Sequence, residues 1–373
     1  MANLGRMLRS VWRLSILTLL VGIAASCAAT PPSARSTRSS TSAPATTVQE
    51  QGDSSGNEKP RVDEDDATRV ATTARTTDLQ TWPLTGTPGD NVGDWPVLVV
   101  KIDNHERARP QFGVNSADVV FEEIVEGGLT RFAALYHSKE AGLVGPIRSV
   151  RTSDFDLLEN LNRPLFANSG GNQAVLQLLQ EVDFTDVSSN AAMDVYQRLA
   201  DRPSPHNLVS DTGSLRTIGT ARGDGGAPPT LFVRRNFEGD AEKSGTSVRG
   251  VDLDYGSTVV NYRWDQNTPG WLRTQNGTVH VDAEGVPIAP QVLVIQIISY
   301  TRSAADGRSP EAVLVGEGRA LILFEGHLTE GSWERSDASK LTQYFDREGK
   351  LVVFPPGNTW VALPRVGQAQ IVK

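Results

Sequence analysis

Apolar runs that end in dense polar clusters set the pattern between residues 96 and 151. Residues 96–102 form a β-branched and aliphatic run, consistent with a strand covered on both faces. Residues 119–125 predict a second strand. On it Glu122 and Glu126 share a face with Val120 and Ile124, while Glu123 falls on the other face with Phe121 and Val125. Gly127-Gly128 turns the chain and residues 130–137 return, so the pair reads as a hairpin. After GPIRSVR a helix is expected. Ser153 with Asp156 fits a capping box, Phe155, Leu158 and Leu161 give an apolar side, and Pro164 ends it. Residues 165–167 predict a short strand. Val175, Leu178, Leu179 and Val182 recur at helical spacing, and further helices are predicted over 191–199 and 211–218.

Beyond the Gly/Pro-rich stretch RGDGGAPPT the character changes to short strands: LFVRRNF, STVVNYRW, WLRTQ, TVHVD, QVLVIQIISYT, EAVLVG, RALILFEG, LVVFP and TWVALP. Asn276-Gly277 marks a two-residue hairpin turn. The predicted class is α+β. An N-terminal α/β domain with a mixed sheet (residues 81–222) precedes a mostly antiparallel β domain, a sandwich or partial barrel (residues 230–373).

The extreme N-terminus departs from this. Arg6, Arg9 and Arg13 precede the apolar run LSILTLLVGIAA, and Ala24-Ala25-Ser26 leads directly to Cys27. The run is short for a spanning helix, and the whole predicts a lipoprotein signal peptide over residues 1–26. Cys27 is the only cysteine, so it is the expected lipidation site. A diacylglyceryl anchor with palmitate-like chains supplies the two chains that stable membrane attachment needs. The folded part then has no thiol for a disulfide, a metal or a nucleophile. Residues 27–80 are rich in Ser, Thr and Pro without hydrophobic periodicity, which predicts a disordered tether. Such a tether spans roughly 40 Å. The expected location is therefore extracytoplasmic, on the outer face of a bacterial cell membrane.

Removing residues 1–26, with three arginines and no acid, takes the formal charge from −8 to −11. That balance disfavours nucleic acid as a partner and disfavours polybasic docking to lipid.

The polar clusters hold the candidate chemistry. Asp103, Asn104 and His105 follow the first strand directly, as a ligand or general-base position or as an Asx turn. Glu122 and Glu126 lie about 13 Å apart along a strand, too far for the paired carboxylates of a glycosidase at about 5–10 Å. Arg148 and Arg151 flank a predicted helix start, where guanidinium forks suit carboxylate or phosphate. Asn168-Ser169-Gly170-Gly171 precedes a second helix in the same way. The alternative is that these arginines pair with Asp103, Glu122 and Glu126 to hold the domain together. His206, between Pro205 and Asn207, sits in a stiffened loop, either as a functional imidazole or as a structural one. The five histidines are dispersed, so no metal site is expected, and no cofactor motif is present.

VVKIDNHERARPQ, FEEIVEGGLTRF, GPIRSVR, SGGNQA and SPHNL, in this order, resemble the N-terminal domain of the YerB-like bacterial lipoproteins. WLRTQNGTVHVD, GEGRALILFEGHLTEGSW and PPGNTWVALP resemble their second domain. The resemblance runs from about Trp82 to the end. It implies a two-domain envelope lipoprotein and brings no biochemical activity with it. Its motifs fall on Asp103, Asn104, Arg109, Glu122, Glu126, Arg131, Arg148, Arg151, His206 and Asn207, among others.

Two functions are expected from these residues. In the first, the N-terminal domain binds an anionic cell-wall component or an envelope protein through Asn104, Arg109, Arg131, Arg148, Arg151, Gly170, Gly171 and Asn207. In the second, the protein is an envelope hydrolase of a glycan or phosphodiester, with Asp103, Glu122, Glu126 and His206 as acid–base candidates.

Overall fold

The computed structural model describes residues 80–223, 225–236 and 245–373. The signal peptide, Cys27 and the tether through residue 79 lie outside the described residues. In chain order the elements are β1 (Leu98–Asp103), β2 (Val119–Ile124), β3 (Thr130–Tyr136), α1 (Ser153–Leu158), β4 (Leu165–Ala167), α2 (Gln173–Leu179), β5 (Thr185–Asp186), β6 (Gln197–Arg198), β7 (Leu208–Val209) and α3 (Thr212–Arg222). Then come β8 (Thr246–Ser247), β9 (Gly250–Asp254), β10 (Val259–Asp265), β11 (Gly270–Gln275), β12 (Thr278–Val279), β13 (Val292–Gln296) and β14 (Tyr300–Arg302). The last are β15 (Pro310–Ala312), β16 (Gly316–Phe324), β17 (His327–Arg335), β18 (Gln343–Asp346), β19 (Thr359–Ala362) and β20 (Ala369–Val372).

All six residues of β1 are buried, Lys101 and Asp103 included, because both faces of the strand are covered. It lies inside a mixed sheet of order β18-β17-β16-β13-β19-β2-β3-β1-β4-β5, with β8 also on β17. The N-terminal half of this sheet is the predicted α/β arrangement: β2 and β3 form the hairpin, and β1 runs parallel to β4. The C-terminal half is mostly antiparallel. One strand joins the halves, because β19 lies parallel to both β13 and β2.

A second, antiparallel sheet, β12-β11-β10-β9-β20, covers one face of the first. Val100, Ile102, Phe132 and Trp360 meet Val251, Leu253, Tyr262 and Trp271 there in one core. On the opposite face Val97, Val99, Ala133 and Leu135 pack with Leu157, Leu158 and Leu161 near α1, and with Val175 and Leu179 of α2. The alternation of each strand thus feeds two cores, one between sheets and one beneath helices. The Asn276-Gly277 turn joins β11 and β12, with φ of 51° and 80° as a tight hairpin demands.

Several local expectations need correction. Residues 191–199 form a short 3-10 turn (Met193–Val195) followed by β6, not a helix. Only Ala192 is buried there, so a helix would have no apolar face to dock. The start of α1 is not a capping box. The Ser153 hydroxyl accepts from the Ala312 amide, and Asp154, not Asp156, accepts from the Arg151 amide. LFVRRNF and LVVFP form no extended strand among the described residues: isolated bridges join Arg234 to Phe354 and Leu351 to Phe345, and Pro355-Pro356 stops the second from extending. Glu126 lies past the end of β2, in a turn over Glu126–Gly128, and so does not share a face with Glu122.

Candidate functional site

The polar groups collect where β1, β2 and β4 reach their carboxyl ends, on the face that carries the helices. Alternation puts Lys101 and Asp103 of β1, Glu123 of β2 and Arg131 of β3 on that face. Arg131 lies in register with both Asp103 and Glu123.

Asp103 is buried and fully engaged. Its Oδ1 accepts from the His105 amide at 3.1 Å, an Asx turn. Its Oδ2 accepts from His206 Nδ1 at 2.7 Å and lies 3.0 Å from Arg148 Nε. The Asx turn is therefore present, and the same carboxylate fixes an imidazole and a guanidinium. The His206 ring stacks on His105 at 4.4 Å between centroids, with 20° between planes. His105 Nδ1 accepts from the Arg107 amide, which leaves its hydrogen on Nε2. Burial, then the neighbouring His206, lowers the His105 pKa.

Three arginines crowd above this carboxylate. Arg131 is buried and donates from Nη1 to the Ser149 carbonyl at 2.9 Å. Burial first, then Arg151 and Arg148, pushes its pKa down to about 10. Arg151 grips Glu126 with its fork, Nε to Oε1 at 2.8 Å and Nη2 to Oε2 at 3.0 Å, while Nη1 donates to the Val150 carbonyl. The Ser309 hydroxyl, from the C-terminal half, reaches the same carboxylate. Burial opposes ionisation of Glu126, yet the hydrogen bonds from Arg151 and Ser309 prevail and hold its pKa at about 2. Arg148 is different. Its buried Nε lies 3.0 Å from Asp103 as an ion pair but has no hydrogen-bond partner among the described residues, and its side chain is 19% exposed. Two of the three candidate pairings of the structural alternative are thus present, and one fork remains open.

Beneath the arginines, Lys101 is enclosed between two carboxylates. It bonds Glu123 and, at 2.6 Å, Asp154, with all three side chains at most 1% exposed. Asp154 also accepts from the Arg151 amide at 2.7 Å, so this buried triad supports the backbone of the site. α1 and α2 are six and seven residues long, and the amides at their starts are already bonded, Arg151 to Asp154 and Val175 to Asn172. The capacity for anions therefore rests on guanidinium groups and not on free helix amides.

The remaining candidates lie elsewhere. Glu122 faces the second sheet, bonded by Arg273 at 2.7 Å, Thr130 at 2.9 Å and Trp360 at 3.0 Å, with no exposure. Asn104 belongs to the same enclosed network: it donates to Thr130 and Gln275, and it accepts from Gln111, whose Oε1 meets His280. Burial, then Arg273 and Arg109, holds the His280 pKa well below its ordinary value. Arg109 stands half-buried near this network, with its Nε unbonded. Asn207 is spent on the β6–β7 hairpin, donating to the Leu199 carbonyl and accepting from Arg198. Gly170 braces the site through its backbone: its amide donates to Asn168 and its carbonyl accepts from the Val150 amide. Gly171 adjoins Val150 and Leu176.

Several participants were not singled out from the sequence, among them Lys101, Asp154, Ser309 and Arg273. Ser309 sits in a loop with no local signal. Arg273 does carry one, because it alternates with Trp271 on β11 and so points inward. Among the described residues no group of three or more His, Cys, Asp and Glu is arranged to hold a metal ion. A cavity lined by Phe121, Leu157, Phe232, Gln296 and Tyr344 shares no residue with the arginine cluster.

Comparison with known proteins places this architecture. Residues 84–225 match the N-terminal domain, and residues 251–361 the C-terminal domain, of a family described as a protein of unknown function (DUF3048). "Putative lipoprotein YerB" of Bacillus subtilis (strain 168) is 29% identical over 303 residues, covering 78% of this chain and 88% of the relative. The chain belongs to the YerB-like lipoprotein family. The crystal structure of the Bacillus subtilis YerB protein superimposes with a TM-score of 0.68 at 25% identity, covering 79% of this chain and 100% of that one. The two-domain fold is thus YerB-like. No helix among the described residues is long and apolar enough to cross a membrane.

Proposed function

We propose that this protein is an envelope lipoprotein held to the outer face of the cell membrane through lipidated Cys27. Its arginine-lined strand ends bind an anionic group of a cell-wall component or of an envelope protein. The observation that carries this reading is the Arg148 fork. It is paired with Asp103 from one side, its buried Nε has no hydrogen-bond partner among the described residues, and it stands beside Arg131 and Arg151. An anion placed there offsets the charge of Arg151 and Arg148, which adds to burial in lowering the Arg131 pKa. Charge-assisted bonds to such a fork are each worth about 1.5–3 kcal/mol.

Titrating the soluble part with inorganic phosphate and acetate, and then with cell-wall fragments, tests this. Arg148→Ala should weaken binding about tenfold or more, and unchanged binding would sink the reading. For the anchor, Cys27→Ala should abolish uptake of radiolabelled palmitate.

A hydrolase is the second reading, and one observation favours it. His206 is oriented by a carboxylate through Nδ1 at 2.7 Å, the relation that prepares an imidazole for general-base work. Asp103 is then a positioning group and not itself the acid, and Glu122, without exposure, leaves the acid–base set. Turnover of a glycan or phosphodiester by the intact protein, lost in His206→Ala and reduced in Asp103→Asn, would favour this reading over simple binding.

A further inference from the structure

The Arg151–Glu126 pair differs from the other ion pairs around β2. Glu122 and Glu123 are at most 1% exposed, whereas the Glu126 side chain is 35% exposed. The backbone beneath it is fixed. Val125 donates to the Leu129 carbonyl at 2.8 Å, and the Ser257 hydroxyl donates to the Gly127 carbonyl at 2.7 Å. Gly127 and Gly128 have φ of 71° and 72°, the left-handed conformation that carries the chain from β2 to β3. The glutamate can therefore leave the fork by rotating its own side-chain bonds towards solvent, with no movement of the turn. What it would leave behind is a formed receptor. Arg151 Nε and the Ser309 hydroxyl meet one carboxylate oxygen, and Arg151 Nη2 meets the other.

We propose that Glu126 is a built-in competitor, occupying the Arg151 fork until a carboxylate of the ligand replaces it. This rests on the anion-binding reading of Arg148 and narrows the ligand from an anion to a carboxylate. The receptor offers three donors to two oxygens of a planar group, which a carboxylate satisfies in full. A phosphate brings further charged oxygens for which this fork shows no donor. Exchange puts one carboxylate in place of another on the same three donors, so the bonds lost to Glu126 are regained with the ligand, whereas the sealed pairs below it could not open without stranding a buried charge. Binding through Arg148 and displacement at Arg151 then give the ligand two points of attachment, one open and one contested.

The test uses Glu126→Gln, which keeps the shape and removes the competing charge. Acetate and inorganic phosphate are titrated into the wild type and the variant, and the Arg Nε–H signals are followed by NMR. Acetate affinity should rise about tenfold in Glu126→Gln with phosphate affinity changing less, and Arg151→Lys in the same background should remove the gain. Glu126→Ala, which removes the competing carboxylate and leaves all three donors in place, should raise acetate affinity likewise and serves if the first variant does not fold. If anions bind through Arg148 but neither variant gains for acetate, the competitor role is overturned and the anion site stands. A larger gain for phosphate than for acetate overturns the carboxylate assignment. If neither anion binds wild type or variants, both readings fall together.

Discussion

Glu122 and Arg273 are completely enclosed between the two sheets, and each is the other's charge partner. Removing one leaves a buried charge uncompensated, which costs about 3–5 kcal/mol. Glu122→Gln should therefore lower the free energy of unfolding in urea by about that amount, while the double change Glu122→Leu with Arg273→Met should recover much of it. Recovery is expected because the pair sits among Phe132, Tyr262 and Trp360, where apolar volume packs well. Glu123, on the other face, behaves differently. Burial first, with nearby Asp154 also opposing ionisation, raises its pKa from 4.5 to about 7 despite the Lys101 contact. Between those values the folded state holds more protons than the unfolded one, so this group's contribution to stability falls as pH rises from about 4.5 to about 7. Glu123→Gln should flatten that slope in urea melts at a series of pH values, and an unchanged slope would show that the group does not titrate there. Glu126 has the opposite sign: held at about 2, it contributes stability that is lost as pH falls below the ordinary carboxylate range. At this scale the sequence was partly legible. Alternation put Glu122 and Glu123 on opposite faces, and the motif residues Asp103, Arg148 and His206 do meet. That Asn104 and Asn207 serve structure was not legible, because a polar residue beside a strand end reads the same whether it turns outward or into a gap between sheets.

Elements were legible where their own residues determine them. β1, the β2–β3 hairpin and the Asn276-Gly277 turn each follow from local pattern and turn chemistry. Gly277 offers a clean test, since its φ is 80° and a Cβ there would meet nothing within 4 Å. Gly277→Ala should therefore register backbone strain alone, about 1–2 kcal/mol, as a fall in the thermal midpoint without loss of folding. Residues 191–199 failed the same kind of reading because helical spacing on its own does not supply a face to pack against. Tyr196 instead bonds the Val187 carbonyl and leads the chain into β6. The C-terminal strands were recognised singly. Their division between two sheets was not, because period-2 alternation states which side is covered and not by what.

At the scale of the whole molecule, the strand that matters most is the last of the large sheet. β19 is four buried residues, Thr359–Ala362, inserted parallel between β13 and β2, with Trp360 donating to Glu122 across the join. Nothing near residue 360 announces this, since a parallel neighbour more than two hundred residues away leaves no local trace. Its consequence is that the N-terminal segment depends on the C-terminal one for both a strand and a cover. Without residues 230–373, β2 would present a bare edge, and Val100, Ile102, Val120 and Phe132 would lose the second sheet that buries them. An uncovered edge beside an exposed apolar face is a template for aggregation. Residues 81–222 expressed alone should therefore be recovered as aggregate or as a chain without a cooperative thermal transition. Co-expression with residues 230–373 should restore a soluble one-to-one complex on size-exclusion chromatography. A monomeric, cooperatively folding 81–222 fragment would mean that β3, β1 and β4 suffice to hold the site. The same dependence reaches the chemistry, because Ser309 and Ser303 from the C-terminal half touch Glu126 and Thr152. Anion binding is then expected only from the complex and the full folded part, and not from either segment alone.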